Sequence, residues 1–201
     1  MNPHNVAMQQ HNELIAQLGP HHRGRVLQHL RALSEADLWL RFGYAVTDDA
    51  LRVYVKKLHF SRDAIFGIFD GVAELLAFGH LGFDRDASSK TAEFGLSVLP
   101  GARRRGFGLR LLHRAAVHAR NRGATQLMMT YLPENDALKR LAERAGMQLV
   151  PDVYEPRALL SLEPPTAASL MDETFSEILA SIDLGFRVAN ADASHHRSTS
   201  A

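Results

Sequence analysis

Arg103-Arg104-Arg105-Gly106-Phe107-Gly108 is the stretch on which the reading of the fold turns. An apolar run ends just before it at Pro100-Gly101, and an apolar-periodic run begins at Phe107, so it joins the end of a strand to the start of a helix. The first N–H groups of a helix have no helical partner and lie at the positive end of its dipole. Glycines there let the backbone approach an anion closely, and arginines add bidentate donors, which together suit a phosphate. Two common phosphate loops do not fit. A dinucleotide fingerprint needs a third glycine where Leu111 stands, and a P-loop needs Lys then Ser or Thr where Phe107 and Gly108 stand. An ordinary turn with solvated arginines is the bland reading. Contact with nucleic acid is a weaker alternative, since Arg110 and Arg114 share a helix face.

The charge around this loop is local. Between Gly101 and Thr125 stand seven arginines and no Asp or Glu, yet the 201-residue chain carries a net charge of only +1. From Glu163 onward the balance reverses, with six acids against Arg187 and Arg197. Near-neutrality argues against a protein that neutralises nucleic acid along its whole length. A hydrophobic fraction of 46% supports one well-cored domain. With no cysteine there is no disulfide, thiolate nucleophile or Cys-based zinc site, which suits a reducing cytoplasm. The eleven histidines do not read as metal ligands: His21-His22 and His195-His196 are adjacent pairs, and His113 and His118 fall on different helix faces. No apolar run reaches membrane-span length, and Met1–Asn12 lacks the apolar core of a signal peptide. A soluble cytoplasmic protein without membrane contact is expected.

Working outward, residues 13–17 suggest a short strand, and Pro20 opens a helix running to Leu33. Ser34 and Thr47 are N-caps for helices ending near Phe42 and His59. Strands over 64–69 and 72–83 flank Asp70-Gly71, which predicts a two-residue hairpin turn with positive φ at both positions. A strand over 91–99 leads into the loop, and a helix from Phe107 to about Arg122 stops at Gly123. Then come a strand over 126–132, a helix capped by Asn135 and closed by Gly146, and strands over 149–154 and 157–162. Pro164-Pro165 marks a boundary, followed by an amphipathic helix to about Phe186 and a small polar tail expected to be disordered. This order gives an α/β fold on a mixed sheet.

At this level the residues resemble a known family. Arg103-x-x-Gly106-x-Gly108 is similar to the pyrophosphate loop of the GNAT acetyltransferases. Leu96-Ser97-Val98-Leu99-Pro100 before it, Leu111-Leu112 after it, and Asn135 followed by Gly146-Met147 strengthen the likeness, which covers roughly residues 65–162. The resemblance implies a mixed, mostly antiparallel sheet with flanking helices and two splayed parallel central strands. It divides the chain into a domain over 1–163 (cofactor-binding core about 91–147), a C-terminal helix over 164–187 and a tail over 188–201.

The resemblance also implies acetyl transfer from acetyl-CoA (coenzyme A) to a primary amine by direct attack in a ternary complex. Backbone groups of Leu96, Ser97 and Val98 would meet the pantetheine arm. Arg103, Arg104, Arg105, Gly106, Phe107 and Gly108 would hold the pyrophosphate, and Asn135 would sit near the pantetheine. Glu93 is the candidate general base, with an arginine-paired strand glutamate as the bland alternative. Many members place a tyrosine where this chain has Ala142, so the acid that protonates the thiolate is open, with Tyr131 and Tyr154 as weak substitutes. That departure motivates a rival reading as an acyl-CoA-binding sensor without turnover. Leu33-Ser34 and Leu40-Arg41-Phe42 are similar to bacterial protein-lysine acetyltransferases, leaving the acceptor as a small amine or a protein lysine. His80 and Trp39 read as packing residues, no metal or nucleic acid is implied, and the assembly is a monomer or homodimer.

Overall fold

The computed structural model describes the backbone of residues 13–84, 86 and 89–198, and side chains as far as residue 189. Met1–Asn12 and the last three residues of the expected tail lie outside them. The elements are β1 (Ile15–Gln17), α1 (Arg23–Arg31), α2 (Glu35–Phe42), α3 (Asp48–Lys57), β2 (Ala64–Phe69), β3 (Leu75–Phe83), β4 (Thr91–Val98), α4 (Phe107–Asn121), β5 (Gln126–Thr130), α5 (Asp136–Arg144), β6 (Gln148–Val150), β7 (Arg157–Ser161) and α6 (Ala167–Ser198). Single 3-10 turns at Pro20–His22 and Pro100–Ala102 precede α1 and follow β4.

Helix starts follow the cap chemistry. The side chains of Ser34, Thr47 and Asn135 accept hydrogen bonds from the backbone N–H groups of Asp37, Ala50 and Leu138 at 3.1, 3.2 and 3.0 Å. The hairpin differs from the expectation. Its turn spans Asp70–Glu74, with Ala73 N–H donating to the Asp70 carbonyl and the positive φ of 63° falling on Ala73. Asp70 Oδ1 accepts from the N–H groups of both Val72 and Glu74, so the aspartate builds a longer turn by itself and β3 starts at Leu75. Helix α6 runs to Ser198, beyond the end expected near Phe186.

The seven strands lie in the order β1-β2-β3-β4-β5-β7-β6, antiparallel except for β4 and β5. Helices α1–α3 cover one face, while α4 packs across β2, β3, β4 and β5 on the other. Between these layers Phe66, Phe78, Phe94, Leu81, Leu111, Leu112 and Leu127 are fully buried. Alternation along β4 sends Phe94 and Leu96 toward α4, and Glu93, Gly95 and Ser97 toward α1 and α2.

Two buried polar clusters tie helices to this core. Arg114 on α4 binds Glu173 and Glu177 of α6 at 2.5 and 2.6 Å, and His118 and Asn121 each reach Glu173 at 2.6 Å. Burial works to raise the Glu173 pKa, but the hydrogen bonds from His118, Asn121 and Arg114 pull it down to about 2. On the opposite face, His29 of α1 lies between the Leu75 carbonyl (2.7 Å from Nδ1) and Ser97 Oγ (2.8 Å from Nε2). A carbonyl only accepts, so Nδ1 carries the proton and Nε2 accepts from the Ser97 hydroxyl. Burial holds the His29 pKa down to about 4, and burial together with the nearby His21 and Arg25 does the same to His22.

Both histidines bind a proton more readily in the unfolded chain, so stability falls as pH drops from 6.5 to about 4. Urea unfolding followed across that window should show the midpoint declining. His29→Gln, which keeps a donor for the Leu75 carbonyl without a titrating ring, should make the decline shallower, the remainder belonging to His22 and to His80, whose pKa burial also lowers.

Candidate active site

Strands β4 and β5 pair in parallel over only three residues, Thr91–Glu93 with Gln126–Met128. Beyond that point β4 stays bonded to β3 as far as Val98, and β5 stays bonded to β7 as far as Thr130. The two strands therefore diverge, leaving the near edge of β4 from Phe94 to Val98 without a strand partner. This is the expected splay, and Glu93 stands at its vertex.

The arginine loop closes one wall of the wedge. After the turn at Pro100–Ala102, Arg103 Nε donates to the Val98 carbonyl at 3.3 Å and its guanidinium pairs with Asp37 at 2.6 Å. Arg104 has φ +64° and Gly106 φ +78°, and these two left-handed residues turn the chain into α4. The first helical hydrogen bond runs from Arg110 N–H to the Gly106 carbonyl, so the N–H groups of Phe107, Gly108 and Leu109 have no helical acceptor. Gly106 supplies no side chain to cap them. The buried Phe107 ring anchors the turn beneath the guanidinium groups of Arg105 and Arg110, 4.6 and 5.7 Å from its centroid. Arg105 pairs with the buried Glu13 carboxylate, and Arg110 donates to the Glu13 carbonyl. The positive charge is thus less concentrated on the loop than the sequence implies. Arg103, Arg105 and Arg114 have carboxylate partners, whereas Arg104 makes no ion pair among the described residues.

The other sequence-predicted residues distribute around the wedge. Leu96 lies beside Gly108 and Leu141, on the α4 side. Ser97 turns its hydroxyl away, into His29, so only its backbone is available to the wedge. Asn135 caps α5 through its oxygen, and its amide donates to the Leu40 carbonyl of α2 at 3.4 Å. Trp39 of α2 donates to Glu134 at 3.1 Å, adding a second tie across the same gap. Ala142 is buried; Tyr131 is 8% exposed and Tyr154, in the loop before β7, is 91% exposed. Glu93 is exposed and makes no hydrogen bond or ion pair among the described residues, so the arginine-paired alternative does not hold.

Beside Glu93, on the α1–α3 face, lies a polar chain that sequence reasoning missed. His80 is the cross-strand partner of Gly95, and its Nε2 lies 3.1 Å from Asp63 Oδ2. A carboxylate accepts, so Nε2 carries the proton, and Nδ1 then accepts from the Tyr54 hydroxyl at 3.2 Å. Tyr54 in turn receives the Arg41 guanidinium at 3.4 Å. Donation therefore runs one way, from Arg41 through Tyr54 and His80 to Asp63, which Arg62 also binds at 2.7 Å. Burial lowers the His80 pKa against the pull of Asp63, and burial raises that of Tyr54. Burial alone would raise the Asp63 pKa, yet hydrogen bonds from Arg62 and His80 bring it below the usual carboxylate range. Tyr54 was legible as inward-facing, three residues after Leu51 and four before Leu58. What it touches was not, because its partners lie 13 and 26 residues away.

His118, Glu173 and Glu177 form the one described cluster with metal-ligand composition, and the Arg114 guanidinium already lies bonded to both carboxylates. No described helix is long and apolar enough to cross a membrane.

Residues 28–147 match the family model described as the acetyltransferase (GNAT) family. Several solved structures share the fold. The GNAT domain of S. lividans PAT superposes with TM-score 0.64 at 19% identity, over 74% of this chain and 89% of that one. A GNAT superfamily phosphinothricin acetyltransferase from Sinorhizobium meliloti, in complex with AcCoA, gives 0.61 at 12%, over 77% and 94%. Spermidine N-acetyltransferase from Vibrio cholerae, in complex with CoA and spermine, gives 0.59 at 17%, over 73% and 94%. No curated protein matches the chain in sequence.

The geometry separates structural from exposed groups. Tyr54→Phe leaves Nδ1 of the half-buried His80 without its donor and should cost about 1 kcal/mol in urea unfolding at neutral pH. Glu93→Gln, at an exposed and unbonded position, should change stability by less than about 0.5 kcal/mol in the same measurement.

Proposed function

The chain belongs to the GNAT acetyltransferase family, and from that premise we propose that it moves the acetyl group of acetyl-CoA to a primary amine by direct attack. The observation that carries this reading is the three-pair register of β4 and β5. It opens a backbone edge over Leu96–Val98 beside an uncapped helix N-terminus and places an unpaired carboxylate at the vertex.

These features fit coenzyme A, which supplies an activated thioester. The edge of β4 offers peptide groups to the amides of an extended pantetheine arm, as one strand does to another. The free N–H groups of Phe107 and Gly108, on a turn made by Arg104 and Gly106, suit a pyrophosphate, with the unpaired Arg104 guanidinium beside it. Asn135 borders the wedge at the head of α5. Residues 1–163 form the transferase domain in this reading, with about 91–147 holding the cofactor and α6 appended to it.

Glu93 is the base. An amine must be neutral to attack, and an exposed carboxylate accepts its proton directly or through water. The nitrogen forms a new amide bond with the acetyl carbon, the carbon–sulfur bond breaks, and coenzyme A departs as a thiolate that takes up a proton. Ala142 provides no acid for that last step. A thiolate is a stable enough leaving group for solvent to protonate it.

Incubation with acetyl-CoA and an amine panel, following free thiol, tests the reading. Acceptor-dependent thiol release is expected. Tight coenzyme A binding with no release across amines and proteins would leave the sensor reading instead. Glu93→Gln should lower turnover by about 10²–10⁴-fold, with partial recovery at higher pH where the free amine is neutral. Equal rates for the two proteins from pH 6 to 9 would remove Glu93 from the mechanism.

A further inference from the structure

Arg41 has no anionic partner among the described residues, and its guanidinium lies over the Phe42 ring, 5.1 Å from the centroid. Its Nε is buried without a hydrogen bond, and its one hydrogen bond goes to the neutral Tyr54 hydroxyl at 3.4 Å. Three other arginines that reach into the domain are answered, Arg114 by two carboxylates, Arg105 by Glu13, and Arg23 by the Val55, Lys56 and Leu58 carbonyls, while the Nε of Arg120, on α4, is buried without a partner as that of Arg41 is. A half-buried guanidinium with idle donors is costly to keep. The sheet nevertheless makes room for it. A Cβ on Gly95 would stand 2.6–2.7 Å from three atoms of the guanidinium, so β4 is cut to glycine where Arg41 lies on it.

Gly95 is two residues beyond Glu93 on the same face, about 7 Å along the strand. A carboxylate that can take an amine proton and a planar cation awaiting an anion thus stand side by side at the wedge vertex. We propose that Arg41 binds an anionic group of the acceptor, which is a small amine that also carries a carboxylate or a phosphate. The guanidinium fork matches either group bidentately, and a plain cationic amine would leave it unpaired. This inference deepens the acetyl-transfer reading and rests on it.

The test uses matched acceptors with wild type, Arg41→Gln and Gly95→Ala. Amino acids are set against their amides, aminoalkyl phosphates against the amino alcohols, and a lysine peptide with uncharged neighbours is added. Wild type should favour the anionic member of each pair at least tenfold in kcat/KM, mainly through KM. Both variants should bring that ratio close to one, Gly95→Ala by displacing the guanidinium while keeping its charge. No preference in wild type, a preference that survives Arg41→Gln, or the lysine peptide as best acceptor overturns the assignment. Carboxylates outpacing phosphates, or the reverse, says which anion is the natural one. Calorimetric titration of the same compounds into protein saturated with coenzyme A needs no turnover. Binding lost in Arg41→Gln upholds the site even if acetyl transfer fails, and binding equal in both proteins sinks it.

A second inference comes from α6. One face of this helix docks on the domain through Ser169, Glu173, Ala180 and Leu184, while Met171, Phe175, Ile178, Leu179, Ile182 and Phe186 form an outward stripe 44–73% exposed; Leu170, 46% exposed, falls outside that stripe. The successive spacings of those six are 4, 3, 1, 3 and 4, which read the same in both directions. A two-fold contact needs a patch complementary to itself when reversed. Antiparallel pairing would set Met171 against Phe186, Phe175 against Ile182 and Ile178 against Leu179. At about 100 Å² of exposed side chain each, the six supply roughly 600 Å² per copy, near the ~800 Å² of a standard interface. We infer that α6 pairs with α6 of a second copy.

Sedimentation equilibrium at micromolar concentration should give a dimer for the full chain and a monomer of equal thermal stability for Ile178→Glu. The absence of native cysteine allows a directional check. Ile178→Cys, beside the two-fold axis, should form an intermolecular disulfide readily, and Met171→Cys should not. A monomer at all concentrations, a dimer that survives Ile178→Glu, or equal cross-linking at both positions overturns the pairing.

Discussion

The parting of β4 and β5 after Glu93 and Met128 is the constraint around which the rest is arranged. Each strand is held on its far side, β4 by β3 and β5 by β7, so the sheet stays intact while its middle opens. The cost falls on the near edge of β4, where peptide groups from Phe94 onward need partners other than a strand. Such an edge is tolerable at a surface cleft that a ligand or water fills, and not in a core. The wide end of the wedge receives the loop and the head of α4, whose own N–H groups are also unmatched. Two sets of unmet donors and acceptors thus converge on one opening.

The distribution of charge follows the same logic. Much of the arginine stretch serves the fold: Arg114 fastens α6, Arg105 and Arg110 fasten the chain at Glu13, and Arg103 joins the loop to α2 through Asp37. Net charge and local arginine density both misjudge the site, one by averaging and the other by counting cations already answered. Arg104 and Arg41 lack a carboxylate partner among the described residues and stand beside the wedge, a combination that is not visible without the partners.

Features set by short-range chemistry were legible in the sequence. Ser34, Thr47 and Asn135 cap the helices they precede, and the glycine-bearing turn after Pro100 leads into α4 as its spacing predicts. Where a local rule had a competitor, the reading slipped. Asp70-Gly71 has the form of a two-residue turn, but the Asp70 carboxylate binds two later N–H groups and lengthens it. The last helix was read as ending near Phe186, but no glycine or proline follows Gly185 and α6 continues to Ser198. The chain from Arg41 to Asp63 is drawn from three separate elements and one loop, so no window of sequence contains it. His80 alone read as packing, and only its register opposite Gly95 gives it company.

Asn135 joins the two halves of the site. As an N-cap it is bound through its oxygen, which leaves the amide free, and that amide meets the carbonyl of Leu40, the residue before Arg41. The head of α5, on the wall of the wedge, is therefore tied to the backbone that carries the guanidinium on the opposite face of β4. Trp39 and Glu134 repeat the link one residue earlier on each side. Both contacts are single hydrogen bonds, of 3.1 and 3.4 Å, so the separation of α2 from the head of α5 is set by polar groups that span the gap and not by a packed interface.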